Sequence, residues 1–142
     1  MLVAAFVDVV IGITDGDTMT VLHGKQQVKV RLSEIDAPEK AQPFGKRSKQ
    51  SLSEICHTMY ADIDPVSRDR YGRTVARVSC GGVDANAEQV RRGMAWVYDR
   101  YAHDKTLYRI QDEARSSGIG LWSSAHPVPP WEWRKGRRRK HR

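Results

Sequence analysis

The chain has 142 residues, 39% hydrophobic and 29% charged, with a formal net charge of +7. That length suits one domain with a single core, and no run approaches the roughly twenty apolar residues that a bilayer-spanning helix needs. The charge is uneven. Arg134 to Arg142 (RKGRRRKHR) holds seven Lys or Arg, leaving seventeen basic and seventeen acidic residues in the body. The expected organisation is a neutral domain over residues 1–133 and a basic tail over 134–142, disordered by itself and suited to a polyanion.

"MLVAAFVDVV" lacks a basic leader and contains Asp8, so it reads as a strand entering the domain, although a precursor's signal peptide removed upstream is compatible with it. Alternation in Phe6 to Ile13, Thr18 to Leu22 and Gln27 to Leu32 predicts three strands, joined by turns at Asp15-Gly16 and His23-Gly24-Lys25. In "ITDGDT" the Asp15-Gly16 pair accounts for the reversal, but Asp17 then falls at a strand start, where β-propensity disfavours it. "SEIDAPEK" breaks the alternation, and Pro38 biases Ala37 toward extended geometry, which places Asp36 and Glu39 on a loop.

Leu52, Ile55 and Met59 stripe a helix that starts near Gly45. Ile63 to Val66 and Val75 to Val78 predict two more strands around the polar reversal "SRDRYGR". Asn86 followed by Gln89 reads as a capping box for a short helix closed by Gly93. Leu107, Ile110 and Ala114 stripe a last helix from Asp104 to Gly118. "HPVPPWEWR" is too rich in proline to continue it and predicts an extended, Trp-bearing segment packed on the body.

Five strands with a helix between the third and fourth predict an α+β domain: a small closed barrel of the oligonucleotide-binding type with about three helices around it. Cys56 and Cys80 leave two readings open, a disulfide or two reduced core thiols, and a bond would favour an oxidising compartment. The histidines are scattered, and Cys56 and His57 cannot face one ligand from a helix, which argues against zinc.

Three acids stand out: Asp17, and Asp36 with Glu39 on one loop. Carboxylates gathered on one barrel face repel each other unless a cation sits between them, and an oxygen-only donor set favours a hard ion such as Ca²⁺ or Mg²⁺. Arg31 precedes the acid loop and Arg73 follows the "DRYG" reversal; guanidinium groups suit phosphate through paired hydrogen bonds.

In order, "DGDT" (15–18), "VRLSEIDAPE" (30–39), "FGKRS" (44–48), "DRYGR" (69–73), "GMAWVY" (93–98) and "GIGLW" (118–122) resemble the segments of the staphylococcal nuclease (thermonuclease) family, over about Val9 to Trp122. The resemblance implies a five-stranded oligonucleotide-binding barrel and a Ca²⁺-dependent phosphodiesterase that cuts DNA and RNA with little sequence preference and leaves 3′-phosphate ends. By matching positions it implies Asp17 and Asp36 as carboxylate ligands of the ion, with Ala37 offering its backbone carbonyl. Glu39 would orient or deprotonate the attacking water, and Arg31 and Arg73 would hold the scissile phosphate. Arg70 and Tyr71 match positions at a substrate phosphate, and Tyr98 or Tyr101 would stack on a base.

The staphylococcal enzyme has a threonine where this chain has Ala37, so a hydroxyl near Glu39 is missing and slower turnover is expected. The stretch from Lys40 to Phe44 is also shorter than its lysine-rich loop. With two carboxylate ligands, weak Ca²⁺ binding is expected in the absence of nucleic acid. The resemblance further favours a monomer that is periplasmic or secreted, since an unspecific nuclease endangers its own cell. The rival expectation is a non-catalytic nucleic-acid-binding module on the same barrel, in which the acids would only repel phosphate. A haloacid-dehalogenase-like phosphatase, suggested by the Asp-x-Asp in "DGDT", needs a parallel sheet with crossover helices that does not follow Asp17.

Overall fold

In the computed structural model, which describes residues 4–140, three N-terminal strands form a meander: β1 (Phe6–Asp15), β2 (Thr18–His23) and β3 (Gln26–Leu32). The alternation seen in the sequence is real: along β3, Val30 and Leu32 are buried while Lys29 is exposed. A two-residue β4 (Ile35–Asp36) follows, then α1 (Gly45–Cys56), β5 (Tyr60–Arg68) and β6 (Thr74–Cys80). β5 pairs antiparallel with both β1 and β6, and the barrel closes where β6 runs parallel to β3, with Arg31 opposite Val75. The result is the expected α+β architecture, a closed five-stranded mixed barrel, here with four helices.

Inside the barrel, Val10, Met19, Val30, Leu32, Ile63 and Val78 meet Leu52 and Ile55 of α1 in one apolar core. Helix α1 stops at Cys56 because Thr58 takes a left-handed φ of 66° and the chain turns into β5. Met59, which the stripe included, therefore lies beyond the helix and is exposed. Cys56 and Cys80 are disulfide-bonded, tying the end of α1 to the end of β6.

A short β7 (Val83–Asp84) leads to α2 (Ala85–Arg91). Asp84 is its N-cap, accepting from the Ala87 amide, so the capping box expected at Asn86 and Gln89 does not form. Both side chains are instead fully buried. Asn86 accepts from the Val78 amide and donates to the Ser33 carbonyl, standing in for missing barrel-edge partners. β8 (Trp96–Val97) pairs with β4, setting Trp96 opposite Asp36.

Helix α3 (Lys105–Ser117) keeps the predicted ends, with the Asp104 carboxylate accepting from the Thr106 amide and Gly118 left-handed at the C-terminus. A 3₁₀ turn (Gly120–Ser123) carries Trp122 into a second apolar cluster with Trp96, Ala114 and Leu121, against which Phe44 and Trp131 pack.

The C-terminal segment departs from expectation. Residues up to Pro129 are non-helical, but Pro130 begins α4 (Pro130–Lys140), which takes in most of the basic stretch expected to be disordered. Proline at the first helical position costs nothing, because its missing N–H would be unpaired there anyway. Residues 141 and 142 of that stretch lie outside the described residues, as do residues 1–3 of the segment expected to enter the domain as a strand. Among the described residues no helix is long and apolar enough to cross a membrane.

Candidate active site

The β1–β2 reversal pairs Asp15 with Thr18, so Gly16 and Asp17 are the two central turn residues. Asp17 thus sits in the turn and not at a strand start, and the propensity conflict disappears. Its amide donates to the Asp15 carboxylate (3.1 Å), the side-chain-to-backbone bond that favours Asp in turns. Gly16 is required for space: a Cβ there would lie 1.8 Å from Ser48 Oγ and 2.9 Å from the Ala37 Cβ. Gln89 fixes this close approach, donating from Nε2 to the Gly16 carbonyl (2.7 Å) and to the Ser48 carbonyl (3.0 Å). Gln89→Leu would leave the Gly16 carbonyl without this partner and remove the second bond on the helical Ser48 carbonyl. Denaturant unfolding is expected to show a loss of roughly 1–3 kcal/mol, and a stability equal to the parent would show that the turn holds itself.

From that turn the Asp17 carboxylate accepts from the Ala37 amide (2.7 Å) and from the Thr18 hydroxyl (3.0 Å). Arg31 reaches the same place from β3. Its Nη1 donates to the carbonyls of Leu32 (2.6 Å) and Ile35 (2.8 Å), which aims Nη2 at both Asp17 (3.5 Å) and Asp36 (3.4 Å). Asp36 in turn meets Arg134 of α4, whose Nη2 lies 2.7 Å from Oδ2 while Nη1 bonds Glu39 (3.0 Å). Asp17, Arg31, Asp36 and Glu39 therefore form one network, with Arg134 as an unforeseen fifth member.

The electrostatics follow from burial. Desolvation pushes the Asp36 carboxyl up to about 6, with the Asp17 charge adding to it and Arg134 and Arg31 opposing. Asp15 is raised to about 7 by burial and by the neighbouring Asp17 charge. Burial also works against the charge on Asp17, but Arg31 and hydrogen bonds from Asp15, Ala37 and Thr18 hold its carboxyl below the usual range. Anionic oxygens are thus kept close together only because guanidinium groups face them.

Arg73 is not in this network. It lies just before β6, two residues ahead of Val75, which pairs with Arg31. Its Nε is bonded to Asp69 (2.7 Å), and its guanidinium lies 5.6 Å from the centre of the Tyr71 ring. Arg70 also caps that ring and donates to the Tyr71 hydroxyl (2.8 Å). Tyr98 and Tyr101, which the sequence leaves as alternatives, stand edge to face with centroids 5.0 Å apart, just after β8. Tyr98 is already stacked on Trp131 of α4, centroids 5.2 Å and planes 3° apart.

A sequence model of the family described as "Staphylococcal nuclease homologue" matches residues 29–124. The chain belongs to the staphylococcal nuclease family. An uncharacterized endonuclease of Haemophilus influenzae is 44% identical over 127 residues, 89% of this chain and 71% of its own. A micrococcal nuclease of Shigella flexneri is 39% identical over 137 residues, 89% and 79% of the two chains. A staphylococcal-like nuclease of Arabidopsis thaliana is 35% identical over 113 residues, 80% of this chain and 35% of its own. The span matched to the staphylococcal nuclease family includes Arg31, Asp36, Glu39 and Arg73, and it ends before α4.

In this staphylococcal nuclease fold the donor chemistry fits a hard divalent ion. Asp17 and Asp36 present buried carboxylate oxygens to a single guanidinium nitrogen, so a cation is already what holds them together. Among the described residues no three His, Cys, Asp or Glu side chains gather closely enough to hold an ion by themselves. An ion held by Asp17 and Asp36 would need further oxygen donors from outside these side chains to fill its shell. The residues sequence reasoning missed are Gln89, Gln42 and Arg134. Gln42 Oε1 accepts the Glu39 amide (3.2 Å), which pins the loop. Arg134 was one base among seven in a run, and the only signal for it was Trp131, three residues earlier at helical spacing.

Proposed function

We propose that the protein is a Ca²⁺-dependent nuclease that hydrolyses phosphodiester bonds of DNA and RNA and leaves 3′-phosphate ends. The observation that carries this reading is the network in which Arg31 joins Asp17 to Asp36 and Arg134 joins Asp36 to Glu39, beside the Tyr98–Tyr101 pair. Asp17 and Asp36 would hold the ion, with the Ala37 carbonyl as a further ligand; when bound, it would neutralise the phosphodiester and make water a stronger nucleophile. Glu39, the least buried acid of the set, accepts the proton of the attacking water. Arg31 Nη2 donates to a non-bridging phosphate oxygen, where charge grows in the five-coordinate transition state. Arg73 exchanges Asp69 for the phosphate and donates toward the departing 5′-oxygen, while Arg70 and Tyr71 hold a neighbouring phosphate. Tyr98 and Tyr101 stack on a base, which tolerates any sequence.

The Cys56–Cys80 bond supports an oxidising setting, and we place the protein in the periplasm or outside the cell, acting as a monomer. The deciding experiment incubates the protein with plasmid DNA and with single-stranded RNA, with Ca²⁺ or with chelator. Fragmentation only with Ca²⁺, with ends that a polymerase extends only after phosphatase treatment, is the expected result. Tight binding without cleavage would make the protein a binding module and overturn the assignment.

A further inference from the structure

Helix α4 is fastened over the site at three points. Gln42, which receives the Glu39 amide on Oε1, donates from Nε2 to the Val128 carbonyl (2.8 Å) just before the helix. Trp131 covers the face of Tyr98 in the offset-stacked geometry that aromatic pairs prefer, and it also meets Trp96 edge-on with centroids 5.7 Å apart. Arg134 bonds both oxygens of Asp36 and one of Glu39. The contacts of Trp131 with Tyr98 and of Arg134 with Asp36 and Glu39 take groups that the nuclease reading gives to substrate or metal. A cation cannot engage Asp36 fully while both its oxygens accept from Arg134, Glu39 paired to a guanidinium is not available as a base, and a nucleobase cannot stack where Trp131 lies.

We propose that α4 is an autoinhibitory plug: it occupies the cleft of the resting protein, Arg134 setting a single positive charge where a divalent cation would sit and Trp131 the ring of a base, and Ca²⁺ with a nucleic acid strand displaces it. This rests on the nuclease reading of the same site. The exchange is nearly balanced by construction. One stacking contact on Tyr98 replaces another, and one cation on Asp36 replaces another. An 11-residue helix is too short to persist alone in water, so α4 depends on its docking. Once detached, Arg134, Lys135, Arg137 and Arg138 become a basic strand that gains from counterion release on a polyanion. The trigger is therefore the substrate itself.

The test uses the full chain and two readouts that do not depend on turnover. Calorimetric Ca²⁺ titration of Arg134→Gln is expected to give binding about tenfold tighter than the parent, the weight of a charge-assisted bond removed from the competitor. Arg137→Gln takes the same charge from the same helix but not from Asp36, and should shift affinity by less than about twofold. Amide hydrogen exchange across residues 131–138 of the unaltered protein should accelerate when Ca²⁺ and a short phosphorothioate-linked oligonucleotide are added together. Unchanged or weaker Ca²⁺ binding by Arg134→Gln, or exchange that stays the same or slows, overturns the plug. If the nuclease reading alone is wrong, neither protein degrades nucleic acid, yet both readouts still report on α4. If only the plug is wrong, the parent cleaves while the affinity and exchange differences are absent.

Discussion

Glu39→Ser is expected to lower the rate of nucleic acid hydrolysis measured with Ca²⁺ added by about 10²- to 10⁴-fold, the range of general base catalysis, while the protein unfolds almost where the parent does. The separation follows from where Glu39 sits. Its carboxylate is one-third exposed, and among the described residues its ion pair is with Arg134 at the rim. Such a pair is worth under about 1 kcal/mol to folding. The loop is held through its backbone, by the Glu39 amide on Gln42 and by Gly45, whose missing Cβ lets α1 start directly against the Glu39 carbonyl. Arg31→Ala contrasts with this. Arg31, its side chain only 13% exposed, lies between the buried Asp17 and Asp36, so its removal leaves two buried carboxylates facing each other and should cost about 3–5 kcal/mol of stability along with the rate. Initial rates beside thermal melts distinguish the two variants. A Glu39→Ser protein that cleaves within tenfold of the parent would remove Glu39 from the chemistry.

That contrast marks how much of the site was legible in the sequence. Strands, hairpins and α3 were readable because alternation, Asp104 and Gly118 act locally, within a few residues of where they are written. The place of Asp17 was not. The sequence puts the reversal at Asp15-Gly16, but the turn centres one residue later, because Gly16 must pass against Ser48 and Ala37, far away in the chain. Asn86 and Gln89 failed for the same reason: their spacing imitates a local cap, while their amides satisfy carbonyls of the barrel and the turn. Arg134 was the hardest. In a run of bases no local property sets one apart, and only the docking of Trp131 beside Tyr98 decides which guanidinium reaches Asp36.

Reducing the Cys56–Cys80 bond is expected to cost about 3.5 kcal/mol, the loop-closure entropy appropriate to a sequence separation of 24. For a domain of this length that corresponds to a melting temperature lower by roughly 10 °C. Calorimetric scans with and without reductant measure it directly. Both sulfur-bearing residues are buried in the barrel core, so the two thiols would remain packed and the loss is chiefly the freedom returned to the unfolded chain. The bond joins the end of α1 to the end of β6, and none of Asp17, Arg31, Asp36 or Glu39 touches it. The reduced protein should therefore keep its activity at temperatures below its lowered melt and lose it above. A melt that moves by less than about 2 °C would show that the core alone carries the fold. The expected shift would instead mean that reducing conditions lower the population of folded protein and oxidising conditions restore it.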